Sequence, residues 1–597
     1  MRRLLKDIGR DPQTVIVYDN INFKDTVRDE VVGHKSVMRS MTTAAIVICS
    51  ELPSNGLRQD MHHPEIPLCI DDIFSSTGVS GDDHGLGARI SANLIAEAIM
   101  RLHEHSVKAV FQGDAEPYPS MPVLDIANVG KTKFWQFGAI YEDEGTIDGT
   151  YAVHDNIFLQ QLKLRAPEDP AAGLPDDFYP TLKLIYGDQL TTHRIRAVKA
   201  EQLQAERPYD LRDWHLGIIA WFHIIMNLGN TLLRTHWGPS EPLQEAHHCL
   251  KSDITTWNRS YNNKDSIKFH QLDPLLLQSF TSRVAALFYD AMRSRGCIIS
   301  LDAVTARDDV GAAIERLTPS QFNELVEDVR VRAFTLSAWE GEGHDDVEFR
   351  TMCRLLQEIE LFLTIKHAIK HADIGILRHV VDQLIVVFFG AKQSNYGHEM
   401  LFLRWNLTDV NDPVLQRSIL ACGLVNWPGL PNTHKPIDLM LEHLNGSCKI
   451  EMKCYKNSTH DVDRTFDRVC LTNTWVRALR ELMEGSFGED MSGKHTSADA
   501  GLDIFMLARN LFISDLAAPR DKEVLARYSS GFYTSPDILK DGMQVLASKV
   551  EAFNQNHVRS EDIAMAYPSI REDGTSDFAD IEEYVNSNED GVDLDAI

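Results

Sequence analysis

Residues 15–20 read VIVYDN, a run of β-branched and aromatic residues that meets an acid at Asp19. Residues 184–191 read LIYGDQLT and repeat the pattern, with Leu184 to Tyr186 running through Gly187 into Asp188. Short apolar runs of this kind, bounded by turn-forming residues, read as buried strands. Each would end on a carboxylate. A bland account is available for both: Asp188 suits the N-cap of a following helix, and the YDNIN stretch suits an Asx turn. The chemical account is that two strand-end carboxylates hold divalent metal. Mg²⁺ prefers hard oxygen ligands, and a pair of such ions can clamp the attacking and leaving oxygens of a phosphoryl transfer.

Strand signals surround these two runs. Residues 36–50 are rich in β-branched and small residues, and the segments VKAVFQGD and TKFWQFGAI read as further strands. Residues 88–105 carry apolar positions at helical spacing. Strands mixed with helices argue for an α/β layer over residues 1–200. The polar stretch from Glu51 to about Gly87 reads as an insertion into it.

Beyond about residue 200 the texture changes. From about Asp210 to Cys422 nearly every segment, including WHLGIIAWFHIIMNLGNTLL, reads as apolar helix. Residues 201–422 therefore form a helical insertion. A Pro/Gly break follows at residues 426–436, and residues 423–560 return to the core and continue as helices. The tail, residues 561–597, is strongly acidic and is expected to be disordered.

With 597 residues the chain exceeds a single core. A net charge of −28 excludes a surface that coats nucleic acid nonspecifically, so any DNA contact needs local cations. Nine scattered cysteines without a C-x-x-C motif do not form a disulfide or zinc framework. No apolar stretch approaches bilayer length. These features point to an intracellular protein, nuclear or cytoplasmic, with no membrane partner; they leave the oligomeric state open.

A third acid would complete a metal site, and two candidates lie late in the chain: Glu442 in DLMLEHLN and Glu399 in SNYGHEMLFLRW. Asp438, Glu442 and Asn445 share one helical face. Glu442 follows the Pro/Gly break and can return to the sheet independently of the insertion. Glu399 sits closer to the long helices, where a structural hydrogen bond is the expectation. Lys183, Arg194 and Arg196 flank Asp188 and could meet phosphates, although a solvated face is the commoner use of such residues. His223, within WFHIIMN, reads as a hydrogen-bonded core histidine.

The segments VYDNINF, YGDQLTTHRI, AWFHIIMNLGNTLLRTHWG, SNYGHEMLFL and VNWPGLPNTHKPIDLMLEHLNGSCK, in that order, together resemble the fungal family catalogued as domain of unknown function 6589. The similarity runs from about Val15 to Lys449 and beyond. Members of that family look transposon-derived, and the succession Asp, Asp, long helical insertion, Glu is similar to transposases with a ribonuclease-H-like core. The resemblance implies a ribonuclease-H-like α/β core split by a large all-helical insertion. It implies Asp19, Asp188 and Glu442 as catalytic ligands of Mg²⁺, with Glu399 the alternative third acid. DNA would be the substrate, through phosphodiester cleavage or strand transfer. No DNA-reading signature precedes Asp19, so a truncated or domesticated element, or a catalytically inactive scaffold, is the competing expectation.

Overall fold

The computed structural model describes residues 2–25, 37–74, 85–112, 117–166, 176–239, 248–261, 263–297, 306–335, 346–455, 462–487, 499–520, 525 and 533–557. The acidic tail lies outside the described residues. The fold is mixed α/β, mostly helical, around a small mixed sheet.

Six strands build that sheet: β1 (Thr14–Asp25), β2 (Val37–Ile48), β3 (Leu57–Arg58), β4 (Lys133–Gln136), β5 (Thr181–Gly187) and β6 (His215–Ile219). β1, β2 and β4 form an antiparallel meander, with Asp19 opposite Thr43. On the other edge of β1 the chain adds β5 and then β6, both parallel. The order across the sheet is therefore β4-β2-β1-β5-β6, with β3 pairing antiparallel to the first residues of β5.

The alternation of side chains explains why both faces are covered. Val15, Val17, Leu184 and Tyr186 point into a large helical core, and Ile16, Tyr18 and Ile185 into a second core holding Phe158, Phe178 and Trp214. A sheet buried on both faces needs apolar residues at successive positions, as the opening run supplies. A third, smaller cluster joins Ile21 and Met41 to Cys448, Met452 and Phe466, seating helices Ile437–Tyr455 and Val462–Phe487 against the far ends of β1 and β2.

Three local readings need correction. β1 does not end at Asp19 but continues to Asp25, because Asp19 to Asp25 stay paired with β2. VKAVFQGD is no strand; residues 104–110 form helix Glu104–Val110, whose Val107 and Val110 are buried three apart on one face. The stretch 215–219, read as helix, is β6. It is a short apolar run whose period cannot separate a buried strand from a buried helix, and pairing with β5 decides it. The helix begins only at Trp221, as helix Trp221–Thr235.

The Pro/Gly break at 426–436 closes on itself. β7 (Leu424–Val425) pairs with β8 (Lys435–Pro436), and helix Ile437–Tyr455 starts at the next residue. That hairpin aims the helix across the sheet at β1 and β2. No helix among the described residues is long and apolar enough to cross a membrane.

Candidate functional site

The register of the parallel pair sets the site. Ile16 lies beside Ile185 and Val17 beside Tyr186. Two residues further, at the same level on adjacent chains, come Asp19 and Asp188. Neighbouring strands sit about 4.8 Å apart, so the two acids are side by side on the face that carries Val17 and Tyr186. Asp188 also caps helix Gln189–Glu201, its Oδ1 accepting from the Thr191 N–H at 2.7 Å. The capping role foreseen as a bland alternative is thus present.

Helix Ile437–Tyr455 crosses this edge and presents three polar residues at helical spacing. Asn445 Oδ1 accepts from the Thr43 hydroxyl at 2.6 Å, fixing the helix to β2 directly opposite Asp19. Glu442, one turn earlier, faces Asp19, with a ligand oxygen of each within 4.8 Å of the other. Burial, and then the charges of Glu442, Asp188 and Glu144, hold the Asp19 carboxyl well above the usual carboxylate range.

Asp438, one turn earlier again and 2 % exposed, serves the next helix. Its carboxylate accepts from the backbone N–H groups of Phe222 and His223, at 3.2 and 3.1 Å, and so caps helix Trp221–Thr235. It also takes the His223 Nδ1–H at 3.0 Å. Burial alone would lower the imidazole's pKa. The Asp438 hydrogen bond and charge, with Asp188 and Glu442 beyond, overcome this and push it up to about 9. One ligand atom each of Asp19, His223 and Glu442 lies within 4.8 Å of the other two, a spacing a metal ion can close. His223 is hydrogen-bonded, as read from the sequence, and it also lies beside the two acids.

Glu144 is a further acid that sequence reasoning missed. It is 2 % exposed, and burial with the nearby Asp188 drives its carboxyl up. Its Oε2 has no hydrogen-bond partner. Nothing in its local sequence, YEDEGT, distinguishes it from the exposed acids around it; only the fold brings it in.

Glu399 goes elsewhere. On helix Ser394–Asn406, its Oε2 accepts from Arg196 and from the Thr192 hydroxyl, both at 3.0 Å, and Arg196 also pairs with Oε1. The Arg196 guanidinium lies over the Phe402 ring. Lys183 is turned onto Thr14 Oγ1 and the Asp11 carbonyl, and burial draws its pKa down to about 8. Lys183 and Arg196 are thereby engaged in holding the fold. Arg194, half-buried on the same helix, has a buried Nε with no hydrogen-bond partner.

The model of a family of unknown function, DUF6589, matches residues 80–495, more than half of the chain, and the chain belongs to that family. The match opens downstream of β1, so the resemblance drawn from residue 15 onward is matched only from residue 80. No curated protein and no solved structure matches the chain.

Proposed function

We propose that this member of the DUF6589 family is built on a ribonuclease-H-like core and performs metal-dependent phosphoryl transfer on DNA, by phosphodiester cleavage or strand transfer of the transposase type. The reading is supported by the sheet: an antiparallel meander extended by two strands parallel to its first is the arrangement such a core requires. One observation carries it. Asp19, Asp188 and Glu442, drawn from positions more than four hundred residues apart, converge beside β1, with ligand oxygens of Asp19 and Glu442 within 4.8 Å of each other and Asp188 adding its charge. Acids held this close repel when ionised, and a divalent cation offsets that cost.

Asp19 and Asp188 would hold the cation from the sheet, and Glu442 from the helix packed across it. Bound Mg²⁺ or a similar ion supplies an activated water or 3′-hydroxyl and a stabilised leaving oxygen. Asn445 and Asp438 are positioning residues, fixing the helix to β2 and to helix Trp221–Thr235.

A second reading, a catalytically silent transposon-derived scaffold, has its own observation. The His223 imidazolium already places one positive charge among Asp438, Asp188 and Glu442. Thermal denaturation with millimolar Mg²⁺ or Mn²⁺ separates the two. The enzyme reading expects a rise in melting temperature, corresponding to about 2.7 kcal/mol when the ion is at one hundred times its Kd. Asp19→Asn and Glu442→Gln should abolish the rise and any cation-dependent nicking of plasmid DNA. A wild type unmoved by either ion, with DNA present, supports the scaffold.

A further inference from the structure

We propose that His223 is a nitrogen ligand of the cation bound by Asp19 and Glu442, so that this position selects Mn²⁺ over Mg²⁺. The inference rests on the metal reading above and deepens it by naming the ion.

The histidine is built as a ligand. Asp438 occupies Nδ1, which leaves Nε2 as the nitrogen that can take a cation, the metal displacing the proton held there. Asp438 is itself immobilised, buried and accepting two backbone N–H groups at the start of helix Trp221–Thr235. The ring is therefore held in direction by a carboxylate that cannot swing away. A histidine whose ring is held by a carboxylate and lies beside two further acids is a ligand with its supporting shell already in place.

The spacing suits one ion. Ligand atoms about 2.1 Å from an octahedral metal lie about 3.0 Å apart when adjacent and about 4.2 Å when opposite. The three ligand atoms here lie within 4.8 Å of one another, so side-chain rotation of about 1 Å closes the set. Glu144 gives an independent sign that something is missing. Its Oε2 is buried without a donor, within electrostatic reach of Asp19 and Asp188. Buried acceptors are almost always satisfied, and a cation with its bound water would supply what this one lacks.

The donor set then chooses the metal. Two carboxylates alone favour Mg²⁺ or Ca²⁺, whereas imidazole is a poor ligand for Mg²⁺ and a good one for first-row transition ions. Mn²⁺ accepts both donor types and keeps the six-coordinate geometry that leaves room for water and a phosphate oxygen.

Pulsed electron paramagnetic resonance of the tag-free full chain with substoichiometric Mn²⁺ tests this directly. Expected is a ¹⁴N coupling from a directly bound imidazole, lost in His223→Gln. Calorimetric titration should show Mn²⁺ affinity falling about 10–100-fold in His223→Gln, with Mg²⁺ affinity changed less than about 3-fold. Asp438→Asn should keep the ¹⁴N coupling while weakening Mn²⁺. Bound Mn²⁺ without ¹⁴N coupling in the wild type overturns the inference and leaves the metal reading standing; that measurement decides even if a variant fails to fold. A wild type that binds neither ion overturns both.

Discussion

Glu399 and Glu442 arrive at the sheet from helices late in the chain and meet opposite surroundings. Glu399 is 2 % exposed, and both its oxygens are held by Arg196, with the Thr192 hydroxyl as a further donor. Glu442 is half-buried and faces Asp19, with Asp188 and Glu144 close to that partner. The first carboxylate is satisfied by the fold; the second is set among like charges. A chain that supplies an arginine to one acid, and more acids to the other, separates a structural role from one that needs something from solution. The difference teaches where to look for chemistry: at the acid whose partners are wrong for it.

The comparison breaks first at Glu399. Removing one partner of a buried ion pair costs about 3–5 kcal/mol, because the other charge is left unpaired. Arg196 keeps some solvent access, which places Glu399→Ala toward the lower end. Urea denaturation should show that loss, while the cation-induced rise in melting temperature persists. A variant that keeps its stability but loses the cation response would exchange the roles of the two glutamates.

Glu442→Gln should act in the other direction. A glutamine amide donates to Asp19 without needing a proton, so the conflict between two carboxylates disappears. The metal-free protein should gain about 1–2 kcal/mol at pH 8, and the cation response should vanish. A loss of stability would mean that the Asp19–Glu442 contact is itself part of what holds helix Ile437–Tyr455 on the sheet.

The pH dependence sharpens the same contrast. The folded Asp19 carboxyl titrates above its unfolded value, so the native state retains a proton that the unfolded chain has released. The stability this contributes is complete below the ordinary carboxylate range and is lost as pH rises through the folded value. Denaturation of the metal-free protein at pH 4, 6 and 8 should show that decline, and Asp19→Asn should flatten it. A decline just as steep in Asp19→Asn would assign it to other buried acids such as Glu144.

Much of this geometry was legible in the sequence. The two apolar runs gave β1 and β5, and the helical spacing of Asp438, Glu442 and Asn445 gave one polar face, because periodicity reports local structure. What stayed hidden depends on tertiary pairing. β6 is a five-residue apolar run that becomes a strand only beside β5. Glu144 is one acid in an acidic turn until the chain buries it. His223 sits in an apolar stretch and is hydrogen-bonded as that reading expects, but its partner Asp438, from about two hundred residues downstream, and its nearness to Asp19 and Glu442 are set by tertiary packing. The cations near Asp188 were similarly ambiguous, since spacing cannot say whether a head group faces solvent or a partner.

Lys183 supplies the smallest test of that last point. It lies on β5 among buried neighbours, and its ammonium reaches the Thr14 hydroxyl and the Asp11 carbonyl at 3.3 and 3.5 Å. Burial lowers its pKa to about 8, below the ordinary lysine value. A base depressed in the folded state weakens the protein wherever both states are charged, that is below pH 8, and the penalty fades as pH climbs from 8 toward the unfolded value. Lys183→Met removes the charge and keeps the apolar stem. It should therefore stabilise the protein at pH 7 by about 1 kcal/mol, a figure reduced from the full shift because the side chain keeps some exposure. The gain should shrink toward pH 10, and DNA affinity at low salt should not change. A drop in affinity, with a reduced salt slope, would show that the ammonium reaches a phosphate after all and would return Lys183 to the nucleic-acid surface.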